Sequence, residues 1–347
     1  MLTSKNKVIV YAQGAFGGDT AKTGIGFIRY GLCETVAVVD KSFSGKTAKD
    51  IVSDLPPIPI FPSIEDAVNH RKDADVLLIG IANVGGKLPV EWLPDLKKAI
   101  TLKLNLVNGL HGFLSSNDEV SLLAKKNGVF VWDVRKSNNN YPVANARLLD
   151  YPFQIVLTVG TDGAIGKMTV SLELNKSASK KGLNSRFIAT GQTGMMISGA
   201  GVPIDAIVGD FMAGAIEEEI IRQAKDKCEI VFVEGQGSIL HPGWSGVTLS
   251  LFHGSLPHKL ILCHRAGREY LKNTKVRIKS LNDFIKVYEN ISLPLRPAKV
   301  VGIGLNTSGL TDTQAKEAIL AAEQETGLPA DDVIRNKGDK LLSACLK

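Results

Sequence analysis

Residues 160–169 read GTDGAIGKMT and constrain the fold more than any other stretch of the chain. They follow an apolar run at 154–159 and open a segment with helical spacing at 168–174. A strand, a glycine-rich turn and a helix start, with a lysine beside the last glycine, make a cradle for phosphate. Amides of the turn face inward, the helix N-terminus adds partial positive charge, and the lysine reaches anionic oxygens. The expected binding residues are therefore Gly160, Thr161, Asp162, Gly163, Gly166, Lys167, Met168 and Thr169. The expected ligand is a phosphorylated molecule of nucleotide size.

The loop departs from the usual G-x-x-x-x-G-K-[ST] pattern in two ways. Gly160 falls one place early, with Thr161 in the standard slot. Met168 replaces the hydroxyl residue that normally holds Mg²⁺. Thr169 comes one residue later, about 100° further round the helix, so its hydroxyl is expected to point elsewhere. The spelling G-T-D-x-x-x-G-K is similar to that of dethiobiotin synthetase and its relatives. A glycine-rich turn that binds nothing is the plain alternative, and the strand, helix and lysine in register weigh against it.

With 347 residues the chain is long enough for two cores. Apolar content of 44% and charged content of 22% are those of a globular protein. A net charge of +6 is mild and suits a small, highly charged ligand. The densest basic stretch, 176–186, reads as a solvated helix end, and the few aromatic residues offer no stacking platform for nucleic acid. Cys33, Cys228, Cys263 and Cys345 are scattered, with no C-x-x-C, as in a reducing compartment. No signal peptide or membrane anchor is read at the N-terminus, so a cytoplasmic protein is expected, without nucleic-acid or membrane partners. A small-molecule substrate and a homo-oligomeric state are expected.

The fold class is α/β: a Rossmann-like parallel sheet in the N-terminal half and a P-loop NTPase-like α/β domain in the C-terminal half. The first half alternates strands at 7–12, 35–40, 75–82, 104–110 and 129–134 with helices at 20–30, 64–69, 91–100 and 117–126. Turn residues follow the strands: Gly14, Gly17 and Gly18, then Asp40, then Asn83, Gly85 and Gly86. Residues 136–142 break the periodicity and read as a linker, giving domains 1–140 and 141–347. The second half places strands at 154–159, 187–190, 230–233, 259–262 and 299–305, and helices at 205–225, 281–290 and 313–326.

A second constellation is the apolar strand 230–233 ending in Glu234 and the turn Gly235-Gln236-Gly237-Ser238. An acid at such a strand end is a metal-bound carboxylate or a general base in P-loop proteins. The turn Thr190-Gly191-Gln192-Thr193-Gly194, between these two strands in sequence, is expected near the cradle, with Gln192 toward substrate. Asp205 reads as a helix N-cap and Asp210 as a helix-face acid. His241, His253, His258 and His264 are spaced as no compact metal motif is, so no metal site is expected. His241 follows Glu234 closely and is a candidate base. Arg135, Arg265 and Arg268 are candidates for holding substrate carboxylates. In the first half, Gly14-Ala-Phe-Gly17-Gly18 is not G-x-G-x-x-G, and Asp40 is only a weak ribose acid.

Taken with Lys22-Thr-Gly-Ile-Gly-Phe-Ile-Arg29, Gly109-Leu-His111, Asp133-Val-Arg135, Ser245-Gly-Val-Thr248 and Leu251-Phe-His253-Gly254, these motifs carry a resemblance over nearly the whole chain. It resembles the two-domain P-loop proteins grouped with D-glutamate N-acetyltransferase. Gly24 and Gly163 stand where that family has alanine and commonly cysteine. The resemblance implies acetyl transfer from acetyl-CoA to the amine of a D-amino acid, D-glutamate first. The cradle suits coenzyme A without hydrolysis, and Met168 fits chemistry needing no Mg²⁺ on a loop hydroxyl. Glu234 or His241 is then the base, and amides of the Gly-Gln-Gly turn stabilise the oxyanion. The alternative is an ATP-dependent ligase or kinase with Mg, in which Lys167 steadies phosphoryl charge and Glu234 holds the metal. A non-catalytic nucleotide-binding protein ranks third.

Overall fold

The computed structural model describes residues 2–82, 86–137, 140–225 and 227–347. It divides into two compact units, Met1–Asn138 with Met195–Pro203, and Asn139–Gly194 with Ile204–Lys347. The turn residues Asn83 and Gly85, and two residues of the expected linker, 138 and 139, lie outside the described residues.

The first unit holds six strands: β1 Lys7–Tyr11, β2 Glu34–Val39, β3 Ile60–Phe61, β4 Val76–Ile79, β5 Asn105–Asn108 and β6 Val131–Asp133. Their order is β3-β2-β1-β4-β5-β6 and every pairing is parallel. This is the doubly wound Rossmann order. β1 and β4 are almost wholly buried, as strands covered on both faces must be. β3 was not legible: its two residues sit among prolines and pair through Val38 and Val39. Asp40, the weak ribose candidate, is fully buried, and its carboxylate accepts from the amides of Ala15, Phe16 and Ser42 at 2.9–3.1 Å. It fixes the loop after β1.

The second unit holds β7 Gln154–Gly160, β8 Ser185–Ile188, β9 Ile230–Val233, β10 Lys259–Arg265, β11 Lys299–Asn306 and β12 Ala330–Asp331. Their order is β12-β11-β10-β7-β9-β8, again all parallel. The loop-bearing strand β7 is therefore central, with the Glu234 strand on one side and β10 on the other. β8 lies outside β9. Helix Lys167–Lys180 sets Val170, Leu174 and Ala178 at four-residue intervals against Val156, Phe232 and Ile261 of the sheet.

The single helix expected from Asp205 is broken. A 3-10 turn at Ile204–Ala206 precedes helix Gly209–Gln223, because Ile204 and Ile207 are both drawn into the core and Val208 turns extended. Asp205 thus sits in the turn and does not cap the helix, whose N-cap is Val208. Helix Ser245–Ser255 carries two glycines and was not read from the sequence. All four cysteines are buried and unpaired. No helix among the described residues is long and apolar enough to cross a membrane.

Candidate active site

The loop after β7 is held rigidly from its own side chains outward. Asp162 is completely buried. Its Oδ1 accepts from Gly163 N at 2.7 Å, and its Oδ2 accepts from Arg268 Nη1 at 2.9 Å and Lys272 N at 2.8 Å. Arg268 Nη1 also donates to Gly163 O at 2.9 Å. Thr161 N donates to Cys263 O, and its Oγ1 pairs with His264 Nδ1 at 2.9 Å. Lys167 Nζ donates to Asp162 O at 2.7 Å. The loop's carbonyls are thereby turned toward cations. By contrast, the N–H groups of residues 164–168 find no acceptor among the described residues. Consecutive free amides at a helix N-terminus are the arrangement that binds anions. Gly166, at φ 105°, makes the turn into the helix, a conformation closed to most side chains.

Gly163 packs under an indole: a Cβ there would lie 2.4 Å from Trp244 Cζ3. Trp244 stacks on His241 with ring centroids 3.8 Å apart. His241 Nδ1 accepts from Gly243 N at 3.1 Å and its Nε2 faces Lys272 O at 2.9 Å. That pattern makes Nδ1 an acceptor and Nε2 the donor to Lys272 O, and leaves neither ring nitrogen open to a substrate proton. His241 instead ties the segment around Lys272, which also grips Asp162, to the turn after Glu234.

Glu234 is 5% exposed. Its Oε2 accepts from Thr190 N at 2.9 Å and Gly191 N at 3.2 Å, while Oε1 has no hydrogen-bond partner among the described residues. Burial pushes the carboxyl up to about 7, against the pull of those two amides and of the Lys167 ammonium. Burial likewise draws Lys167 down to about 8. Beside them, Gly235 N donates to Thr158 Oγ1 at 2.9 Å. A Cβ on Gly235 would fall 1.6 Å from Thr158 O, so only glycine allows β9's turn to lie against β7. Gly235's amide is therefore unavailable as an oxyanion donor, whereas those of Gln236 and Gly237 have no acceptor among the described residues.

Of the residues singled out from sequence, the cradle, Glu234, His241, Gln192, Arg265 and Arg268 belong to the second unit, and Arg135 to the first. Arg135 Nε donates to Gly109 O at 2.8 Å. Arg268 is engaged by Asp162, and Arg265 has no ion-pair partner among the described residues. Gln192 opens the helix Gln192–Ser198, and its amide neighbour Gly191 serves Glu234. Met168 and Thr169 stand in the first turn of helix Lys167–Lys180. Tyr288 was missed. Its hydroxyl donates to Gly160 O at 2.8 Å and accepts from Ile239 N at 3.1 Å, pinning the end of β7 to the turn after β9. In sequence it is one more apolar-face residue of helix Leu281–Ser292, and no local signal marks it.

Residues 142–342 match the P-loop domain of DUF1611, and residues 41–137 match its Rossmann-like domain, both domains of unknown function. A protein named D-glutamate N-acetyltransferase from Tritonibacter scottomollicae is 36% identical over 277 residues, covering 78% of this chain and 81% of that protein. A second of that name, from a Pseudoalteromonas species, is 34% identical over the same shares. The crystal structure of a DUF1611 family protein from Anabaena variabilis is 41% identical and superimposes with a TM-score of 0.93 over 98% of this chain and 99% of that one. The chain belongs to the DUF1611 family of two-domain proteins, with a Rossmann-like N-terminal domain and a P-loop C-terminal domain.

Proposed function

We propose that the protein transfers an acetyl group from acetyl-CoA to the amine of a D-amino acid, D-glutamate first among them. The observation that carries this reading is a row of free loop amides next to a buried carboxyl poised near neutrality. The names of relatives at 34–36% identity support it. Acetyl-CoA supplies the activated thioester carbonyl and a pyrophosphate. The amides of residues 164–168 and the Lys167 ammonium bind that pyrophosphate. Glu234 Oε1, the carboxylate oxygen with no hydrogen bond among the described residues, takes the proton that the substrate ammonium must lose before its nitrogen can attack. A carboxyl near 7 is a far better acceptor than one at 4.5. The amides of Gln236 and Gly237 donate to the carbonyl oxygen as negative charge develops on it; collapse of the tetrahedral adduct then breaks the C–S bond, and the proton leaving the new amide nitrogen goes to the departing coenzyme thiolate. Arg265 meets a substrate carboxylate.

The test is to incubate the purified protein with D-glutamate and either acetyl-CoA or Mg-ATP. The expected result is thiol release that depends on D-glutamate. ADP release without thiol, or silence with both, would overturn the proposal.

A further inference from the structure

We propose that a groove beside the phosphate loop takes the adenosine end of the coenzyme, with its 3′-phosphate against Lys279; this rests on the reading that the loop holds the coenzyme's pyrophosphate. The groove has a volume of 320 Å³, within the range of about 300–1,000 Å³ usual for small-molecule sites. It lies at the carboxyl ends of β10 and β11, where ligands of parallel sheets bind.

Three features select this occupant. The first is continuity. His264 and Arg268 line the groove, and each is one hydrogen bond from the loop: His264 to Thr161, and Arg268 to Asp162 and Gly163. His264 and Arg268 thereby join the lining of the groove to the loop.

The second is shape and charge. One wall is the small-residue face of helix Asp312–Thr326, formed by Ala318, Ala321 and Ala322. Ile278, Leu281 and Leu305 supply further apolar surface. Apolar walls of this kind suit one face of a flat heteroaromatic ring. Lys279, exposed and without an ion-pair partner among the described residues, offers its ammonium to a phosphate. Glu325 Oε1 accepts from Leu281 N at 2.7 Å, and its second oxygen, with no hydrogen bond among the described residues, is open to an exocyclic amine.

The third is topology. β7 stands between β9, which ends at Glu234, and β10, which ends at the groove. A pyrophosphate on the loop after β7 therefore divides the ligand. Its reactive arm runs toward Glu234 on one side, and its nucleoside toward the groove on the other.

Isothermal titration of the full-length protein with coenzyme A, 3′-dephospho-coenzyme A and 4′-phosphopantetheine tests this. Ala321 is exposed, so Ala321→Trp fills the groove without disturbing the core. The variant should bind coenzyme A at least about tenfold more weakly, roughly 1.4 kcal/mol, and 4′-phosphopantetheine as tightly as the parent does. Lys279→Ala should lower coenzyme A affinity to that of 3′-dephospho-coenzyme A and leave the latter unchanged. Parental affinity for coenzyme A in Ala321→Trp, or equal loss of both ligands, would overturn the groove assignment. Lys167→Ala separates the two readings: unchanged coenzyme A affinity there refutes the loop itself, whereas weakened binding together with a neutral Ala321→Trp refutes only the groove.

Discussion

Replacing Glu234 by glutamine removes the charge and keeps the shape. The amide oxygen can still accept from Thr190 N and Gly191 N, which hold Oε2 in the parent. What disappears is the unfavourable ionisation of a buried group. The rise from 4.5 to about 7 corresponds to on the order of 3 kcal/mol at ~1.4 kcal/mol per pKa unit. Because the folded carboxyl keeps a proton that the unfolded chain releases, Glu234 costs the parent nothing well below pH 4.5 and destabilises it progressively as pH rises toward 7. Above that the loss is constant. The variant escapes the loss, so its advantage should grow by roughly 2–3 kcal/mol between about pH 5 and about pH 8.5. Denaturant unfolding of parent and variant at the two pH values reads this, since the titration of groups not coupled to Glu234 cancels in the difference and Lys167, which is coupled to it, adds a smaller change near pH 8. Thiol release should fall by about 10²–10⁴-fold in the same variant, the usual worth of a general base. A stability difference that is flat in pH, or variant activity close to the parent's, would refute the reasoning.

Lys167→Met should also stabilise the protein, but with the opposite pH course. The lysine's folded value is pulled down to about 8, so its destabilisation is complete below that pH and vanishes above 10.5; unfolding of the variant at neutral and alkaline pH checks this. Asp162→Asn breaks a buried ion pair with Arg268 and should destabilise by about 3–5 kcal/mol, measured as a lowered unfolding midpoint. Leu174→Ala, at a fully buried position of the core under helix Lys167–Lys180, should cost about 2–5 kcal/mol by the same assay. Gly235→Ala forces a Cβ onto Thr158 O and should abolish soluble expression or cooperative melting of the C-terminal unit.

Which parts were legible follows from where the signals lie. Buried strands such as β7 and β9 announce themselves as apolar runs, and the cradle announces itself because glycines and a lysine must stand at fixed offsets between a strand and a helix. β3 and β12, of two residues each, exist only through their pairing partners, so no local pattern could have marked them. Helix Ser245–Ser255 was hidden by glycines and β-branched residues of low helix propensity, which tertiary packing overrides. Side-chain roles were harder still. Arg268 reads as a free cation in sequence, yet the fold brings Asp162 to it across more than a hundred residues. His241 reads as a base, yet two backbone groups occupy both ring nitrogens. Such commitments arise from chain segments meeting in space, and the sequence order contains no trace of them.

The most direct measurement is a crystal structure of the protein with coenzyme A. Its pyrophosphate oxygens should lie within about 2.7–3.2 Å of the amides of residues 164–168 and of Lys167 Nζ, the ordinary range of such hydrogen bonds. Coenzyme bound elsewhere, with those amides facing only water, would contradict the account.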